Sequence, residues 1–220
     1  MMQDISHYDQ LTGMLTRAAF QQAFGEAMAQ ARSQGAALTL ALIDIDRFKQ
    51  INDQYGHAGG DAVLEAVGEA LKRVEGGIAA RYGGDEFALL FPAVEREQVL
   101  LRLERTRAEV EAMSAIANAG GQIEMHLTIS AGIAAFPIDG EEENELLRKA
   151  DGALYRAKIG GRNKVMLAYE ERMAPKTAHF TLTQLERLAS LAKDQGVGEA
   201  VLLREALDDL LVKYEHSFRK

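Results

Sequence analysis

Two adjacent glycines and two adjacent carboxylates, Gly83-Gly84-Asp85-Glu86, stand between a short apolar stretch, Ile78-Ala79-Ala80, and a strand-like one, Phe87-Ala88-Leu89-Leu90-Phe91. This pattern predicts a β-hairpin with a tight turn. Glycine has no side chain, so a bulky ligand can approach its backbone closely. A carboxylate fixed on a hairpin is a hard oxygen donor of the kind that holds Mg²⁺ together with substrate phosphates. The turn is therefore expected in a nucleotide–metal site; the alternative is an ordinary hairpin with solvated acids.

A second acidic strand end precedes it. Leu38-Thr39-Leu40-Ala41-Leu42-Ile43-Asp44-Ile45-Asp46 is nearly continuous in apolar residues, as a strand buried on both faces would be. Strand alternation points Asp44 and Asp46 to the same side. An acid at the end of a buried strand is costly unless paired or bound to a cation. Two acidic clusters on strands suggest two-metal phosphoryl transfer.

Further motifs flank these two in order. Asp9-Gln10-Leu11-Thr12-Gly13-Met14-Leu15-Thr16-Arg17 comes first, and Arg47-Phe48-Lys49-Gln50-Ile51-Asn52-Asp53 continues the acidic strand. Tyr55-Gly56-His57-Ala58-Gly59-Gly60-Asp61 follows. After the hairpin come Thr128-Ile129-Ser130-Ala131-Gly132, Ala150-Asp151-Gly152-Ala153-Leu154-Tyr155-Arg156-Ala157-Lys158 and Gly161-Arg162-Asn163. Over roughly residues 5 to 168 the chain resembles the GGDEF-domain diguanylate cyclases.

The resemblance implies an α/β (α+β layered) domain with a mixed, palm-like sheet flanked by helices. It also implies condensation of two GTP into cyclic di-GMP with release of two pyrophosphates. It assigns the metal, Mg²⁺ with Mn²⁺ as a substitute, to Asp44, Asp85, Glu86 and the Ile45 carbonyl. Asp85, Glu86 and Lys49 are the expected catalytic residues, the roles of the two acids not being separable. Gly83 and Gly84 border the substrate. Asn52 and Asp61 are expected to read guanine, since an amide and a carboxylate can match its N1–H and N2–H₂ edge; helix capping is the alternative for both. Lys49, Lys158, Arg162 and the backbone N–H groups of Phe48 and Lys49 are expected on the triphosphate. His57 is placed beside the substrate to hold the Tyr55–Asp61 loop, and Arg81 to brace the hairpin. Two positions depart from the family pattern. An Arg-x-x-Asp product-inhibition site is replaced by Val74 and Gly77, so no such site is expected. Thr16 stands where Asn is usual, with a local turn effect only.

Composition narrows the remaining classes. The 220 residues are 47% apolar and 26% charged, with no cysteine, which excludes disulfide and thiolate chemistry. No apolar run is long enough to cross a bilayer. The start, Met1-Met2-Gln3-Asp4-Ile5-Ser6-His7, lacks the features of a signal peptide, and a cytoplasmic protein is expected. With no sensory segment upstream, regulation is expected from the tail or from assembly. The net charge of −8 argues against a nucleic-acid surface as the main feature.

Along the chain, helices are predicted over about 17–33, from Asp61, over 95–118 and over 142–158. A long strand is predicted over 123–135 and a short one over 165–168. Residues 1–168 form the cyclase domain and 169–175 a linker. In 176–215 an alternating strand, Lys176–Leu182, precedes a capping box at Thr183-Gln184-Leu185-Glu186 and two amphipathic helices. This segment resembles a ribbon-helix-helix unit, which would pair strand to strand into a homodimer; a helical hairpin packed on the cyclase domain is the alternative. A DNA-binding ribbon would present Thr177, His179 and Thr181. Seven acids balance seven bases in 173–220, so dimerisation is favoured over DNA binding. The competing functional class is a catalytically silent nucleotide-binding or DNA-binding regulator.

Overall fold

The computed structural model describes residues 7–118, 121–168, 177–195 and 198–214. The chain divides into two compact units near residue 170. The first is built around β2 (Leu38–Ile45), whose run of apolar residues is buried at every position but Leu42. β2 lies between two antiparallel neighbours, β4 (Glu86–Pro92) and β7 (Ile129–Phe136). β3 (Ile78–Arg81) extends the sheet on one side and pairs in parallel with β1 (Leu15–Thr16). β8 (Val165–Leu167) closes the other side, parallel to β7, giving the order β1-β3-β4-β2-β7-β8. This is the mixed α/β layering the sequence leads one to expect.

Both faces of the sheet are covered. Ala41, Ile43 and Ile45 of β2 pack with α2 (Phe48–Lys72) and α3 (Arg96–Glu111), through Val63, Val67, Val99 and Leu103. Leu38 and Leu40 pack on the opposite face with Phe20 and Phe24 of α1 (Arg17–Gln34) and with Leu146 and Ala150 of α4 (Glu143–Ile159). Each large side chain buried here, such as Phe20, Leu40 or Val67, contributes roughly 1.5–3 kcal/mol. Strand alternation puts Asp44 on the α4 side. α4 comes closest to the sheet at Gly132, where an added Cβ would lie 2.1 Å from the Ala150 carbonyl.

Three expectations are corrected. The helix predicted to open at Asp61 begins at Phe48 and passes through a kink at Gly56 (φ 71°, ψ 177°), so Tyr55–Asp61 is not a loop. The helix predicted over 95–118 stops at Glu111, and Ala115–Asn118 forms β5 instead. The long strand predicted over 123–135 is broken: Gly121–Glu124 is β6, paired with β5 in a separate two-stranded sheet, and β7 starts only at Ile129. Two four-residue strands are too short to show a period. The Tyr55 hydroxyl donates to the Glu124 carbonyl (2.9 Å) and ties this small sheet to α2.

The second unit contains α5 (Leu182–Gln195) and α6 (Glu199–Tyr214). Among the described residues the strand expected over 176–182 is not formed at Thr177–Thr181, and Leu182 opens α5; Lys176 lies outside the described residues. The capping box sits two residues earlier than expected. The Thr181 hydroxyl accepts from the Gln184 N–H (3.3 Å), and the Gln184 side chain accepts from the Thr181 N–H (2.9 Å). Thr181 thus caps α5. Phe180, Leu182, Leu191, Leu207 and Leu210 are exposed, Leu182 at 80%. Among the described residues no helix is long and apolar enough to cross a membrane.

Candidate active site

The expected acids meet at one end of the sheet. Asp44 is the penultimate residue of β2, and the β2–β4 register sets it opposite Glu86. The Ile45 N–H donates to the Asp85 carbonyl (3.3 Å), so the hairpin tip lies against the end of β2. Asp44 is buried, whereas Glu86 is exposed. Lys158, from the last turn of α4, places its Nζ 2.7 Å from Asp44 Oδ2. The Asp44 carboxyl is nevertheless pushed up to about 6. Burial is the largest cause; the Lys158 hydrogen bond and charge oppose it, and the charges of Asp85 and Glu86 add to it. One lysine does not neutralise this corner.

The turn is shaped by its own residues. The N–H groups of Tyr82 and Gly83 both donate to the Glu86 carbonyl, at 2.8 and 3.1 Å. A Cβ on Gly83 would lie 2.8 Å from Glu86 Oε2, so this glycine makes room for the Glu86 side chain; Gly84 has open space beside it. Arg81 donates to the Gly84 carbonyl from Nε (3.2 Å) and Nη2 (2.8 Å) and pairs with Asp9 at 3.4 Å. Asp9 in turn accepts from the Thr12 N–H (2.9 Å) and hydroxyl (2.8 Å). Burial of Asp9 works against its charge, but the bonds from Thr12 and Arg81 prevail and hold its carboxyl below the usual range. The N-terminal motif is therefore the anchor of the hairpin brace. Thr16 caps α1, its hydroxyl accepting from Ala19 N–H (3.5 Å).

Beside the acids, α2 starts at Arg47 in the left-handed region (φ 57°), with no side-chain cap and no acid in its first turn. The helix start at Phe48 and Lys49 is thus open to an anion. The kink at Gly56 brings the two parts of α2 together. A Cβ on Gly60 would fall 2.0 Å from Asn52 Oδ1 and 3.2 Å from Phe48 Cζ. Asn52 and Gly60 are in contact, and Asp61 follows immediately, exposed. Gly60 was not among the expected site residues, although its place in the motif holds the signal. His57 is exposed beyond the kink.

Arg162 has left-handed backbone (φ 64°) and lines a cavity of about 460 Å³ with Arg47, Gln50, Tyr55 and His126. Of the two cations expected on phosphates, Lys158 pairs with Asp44 and Arg162 lines the cavity. Asp46 also leaves the acid cluster. Its carboxylate accepts from Thr128, Ser130 and the Asn163 N–H, whereas Asp44 pairs with Lys158. Among the described residues no three acid or histidine side chains form a ready metal cage. Val74 is buried in the core, and a Cβ on Gly77 would lie 3.0 Å from Phe91, so neither position offers a polar group to a ligand. Thr177 and His179 are exposed in the second unit.

Known proteins resemble this chain in sequence and in fold. Diguanylate cyclase DgcP of Pseudomonas aeruginosa is 42% identical over 163 residues, 73% of this chain and 24% of that protein. Cyclic di-GMP phosphodiesterase NbdA of the same organism is 32% identical over 196 residues, 88% of this chain and 24% of that protein. The chain thus spans about a quarter of the length of these relatives. The crystal structure of the GGDEF domain of DgcB from Caulobacter crescentus, in complex with c-di-GMP, superposes with a TM-score of 0.70 at 36% identity, covering 77% of this chain and 97% of that one. The family model for the diguanylate cyclase GGDEF domain matches residues 6–164, and the chain belongs to that family.

Proposed function

We propose that this chain is a diguanylate cyclase that converts two GTP into cyclic di-GMP and two pyrophosphates. Each 3′-oxygen attacks the α-phosphorus of the other GTP. Each new P–O3′ bond forms as the bond to pyrophosphate breaks, and each hydroxyl gives up one proton. The observation that carries the reading is the meeting of Asp44, Asp85 and Glu86 beside Lys158 and the uncapped start of α2.

Cyclases of this family are metal-dependent, and the donors at this corner are hard oxygens, which suit Mg²⁺ with Mn²⁺ as a substitute. Asp44, the Ile45 carbonyl, Asp85 and Glu86 would hold the ion. When bound, it supplies charge neutralisation at the phosphates and the leaving group. The remaining work falls to the chain itself. Lys49, Lys158, Arg162 and the N–H groups of Phe48 and Lys49 hold the triphosphate. Asn52 and Asp61 match the guanine edge, which rejects adenine because it lacks those donors. Asp85 or Glu86 accepts the proton of the 3′-hydroxyl. His57 borders the substrate on the second part of α2.

One such site holds one GTP, so the product requires a second copy of the chain. The exposed apolar side chains of α5 and α6 support pairing through residues 176–215. DNA is not a favoured partner, because residues 173–220 carry as many acids as bases.

The test is incubation of the purified protein with GTP and Mg²⁺, followed by separation of nucleotides. Cyclic di-GMP and pyrophosphate in a ratio of one to two are expected, and a chelator should stop both. GTP that is bound but returned unchanged identifies a silent nucleotide-binding module instead.

A further inference from the structure

Asp46 is a buried carboxylate at 6% exposure, one residue past the end of β2 and outside the acid corner. Its Oδ1 accepts from the Ser130 hydroxyl (2.7 Å), and its Oδ2 accepts from the Thr128 hydroxyl (2.7 Å) and the Asn163 N–H (2.9 Å). Its own N–H donates to the Thr128 carbonyl (2.9 Å). A buried charge is retained only where donors satisfy it, and one of these three donors comes from the loop that follows α4.

That loop is strained. Gly161 (φ 106°), Arg162 (φ 64°) and Asn163 (φ 50°) are consecutive residues with positive φ, two of them not glycine. Such backbone persists only where its surroundings hold it, and it concentrates at functional sites. Here the restraint falls on Asn163. Its N–H is taken by Asp46, its Oδ1 accepts from Arg107 Nη1 (2.7 Å), and its Nδ2 donates to Glu111 Oε1 (2.7 Å). Glu104 accepts the Val165 N–H (3.0 Å) two residues on. None of these bonds involves the Arg162 guanidinium, which is exposed on the wall of the 460 Å³ cavity. The loop is locked while its cation is left to project.

Asp46 also precedes Arg47, the left-handed residue from which α2 starts. One carboxylate therefore joins the helix start at Phe48 and Lys49 to the loop that carries Arg162. We propose that Asp46 is a positioning residue, which through Asn163 fixes the spacing between the α2 N-terminus and Arg162 to match a triphosphate. This rests on the reading that Arg162 takes substrate phosphate. A displaced cation loses far more binding than its exposure suggests, because the triphosphate is rigidly held by its other partners.

The test is a double-mutant cycle with Asp46→Ala and Arg162→Ala, measuring KM and kcat for GTP and affinities for a non-reacting GTP analogue and for guanosine. Arg162→Ala is expected to weaken the GTP analogue about tenfold or more and leave guanosine unchanged. Asp46→Ala should do the same, and the double variant should be no worse than Arg162→Ala alone. Asp46→Asn should retain most of the affinity, because its oxygen can still accept from Asn163 while the Ser130 hydroxyl reverses to accept from its amide. If Asp46→Ala does not fold, Asp46→Ser, whose shorter side chain gives up the bond to the Asn163 N–H while keeping a polar group beside Ser130, takes its place in the cycle. Losses that add in the double variant, or guanosine weakened as much as the analogue, overturn the positioning role. An Arg162→Ala protein that binds the GTP analogue normally overturns the phosphate reading itself, whatever Asp46 does.

Discussion

Lys158 Nζ lies 2.7 Å from Asp44 Oδ2, joining the last turn of α4 to the end of the central strand. These two residues have different proposed tasks, one toward phosphate and the other toward a metal. In this structure they hold each other. The pair is one-sided, however: Asp44 is buried with two further acids close by, and its carboxyl remains raised to about 6 despite the lysine.

Asp44→Asn should therefore stabilise the metal-free protein while removing cyclase activity. The folded state binds the Asp44 proton more tightly than the unfolded chain, whose carboxyl titrates near 3.8. Unfolding thus releases a proton between about pH 4 and pH 6, and this group's contribution to stability falls as pH rises through that window. Above it the full penalty applies, on the order of 1–3 kcal/mol. Denaturant melts of both proteins at pH 4.5 and 7.5, with chelator present, check this. The variant should gain more at pH 7.5, and an equal gain at both would show that burial of the charge is not the cause.

The hairpin acids should separate folding from chemistry. Asp85→Ala should abolish cyclic di-GMP synthesis with an unchanged melting curve, because the turn is held by Glu86 carbonyl and Arg81 bonds that do not use the Asp85 side chain. Near wild-type turnover would sink the assignment of Asp85 to the metal.

The guanine reading proposed for Asn52 and Asp61 should depend on the kink in α2. Gly60→Ala would place a methyl group 2.0 Å from Asn52 Oδ1 and push that amide away. GTP affinity should fall about tenfold or more, by the loss of paired polar contacts. Asp61→Ser should instead relax selectivity, admitting ATP. If ATP remains as poor a substrate as before, Asp61 is not a base reader.

These residues also show where the sequence stops being informative. The β2 run was legible because burial on both faces leaves a local pattern, and the hairpin because two glycines punctuate it. The continuity of α2 was not, because Gly56 and Gly59-Gly60 carry the marks of a loop while the fold uses them for a kink and a close contact. The role of Asp46 was hidden for another reason. Its partners Thr128, Ser130 and Asn163 lie 82, 84 and 117 residues away, and only the tertiary structure brings them to it. By pattern alone, Asp44 and Asp46 look equivalent.

Product inhibition should be weak. Val74 is buried and Gly77 packs against Phe91, so the Arg and Asp of the family's inhibitory motif are both missing. Cyclic di-GMP should accumulate without early slowing. Non-competitive inhibition by micromolar product would reveal another inhibitory surface.

The second unit should set the concentration dependence of the reaction. In the proposed reaction two GTP-loaded sites meet, and encounter of free monomers is second order. Pairing through residues 176–215 would hold two cyclase domains at high effective concentration, with a closed twofold arrangement as the expected symmetry. Phe180, Leu182, Leu207 and Leu210 are exposed on this unit and are available to a partner surface. Truncation after Ala168 should give a monomer whose specific activity rises with its concentration, while the full chain keeps a constant specific activity over the same range. Phe180→Asp should behave like the truncation, because it sets a charge where the proposed interface is apolar. Sedimentation and initial rates measured across a dilution series decide the matter. A truncated protein that stays dimeric and equally active on dilution would assign pairing to the cyclase domain itself.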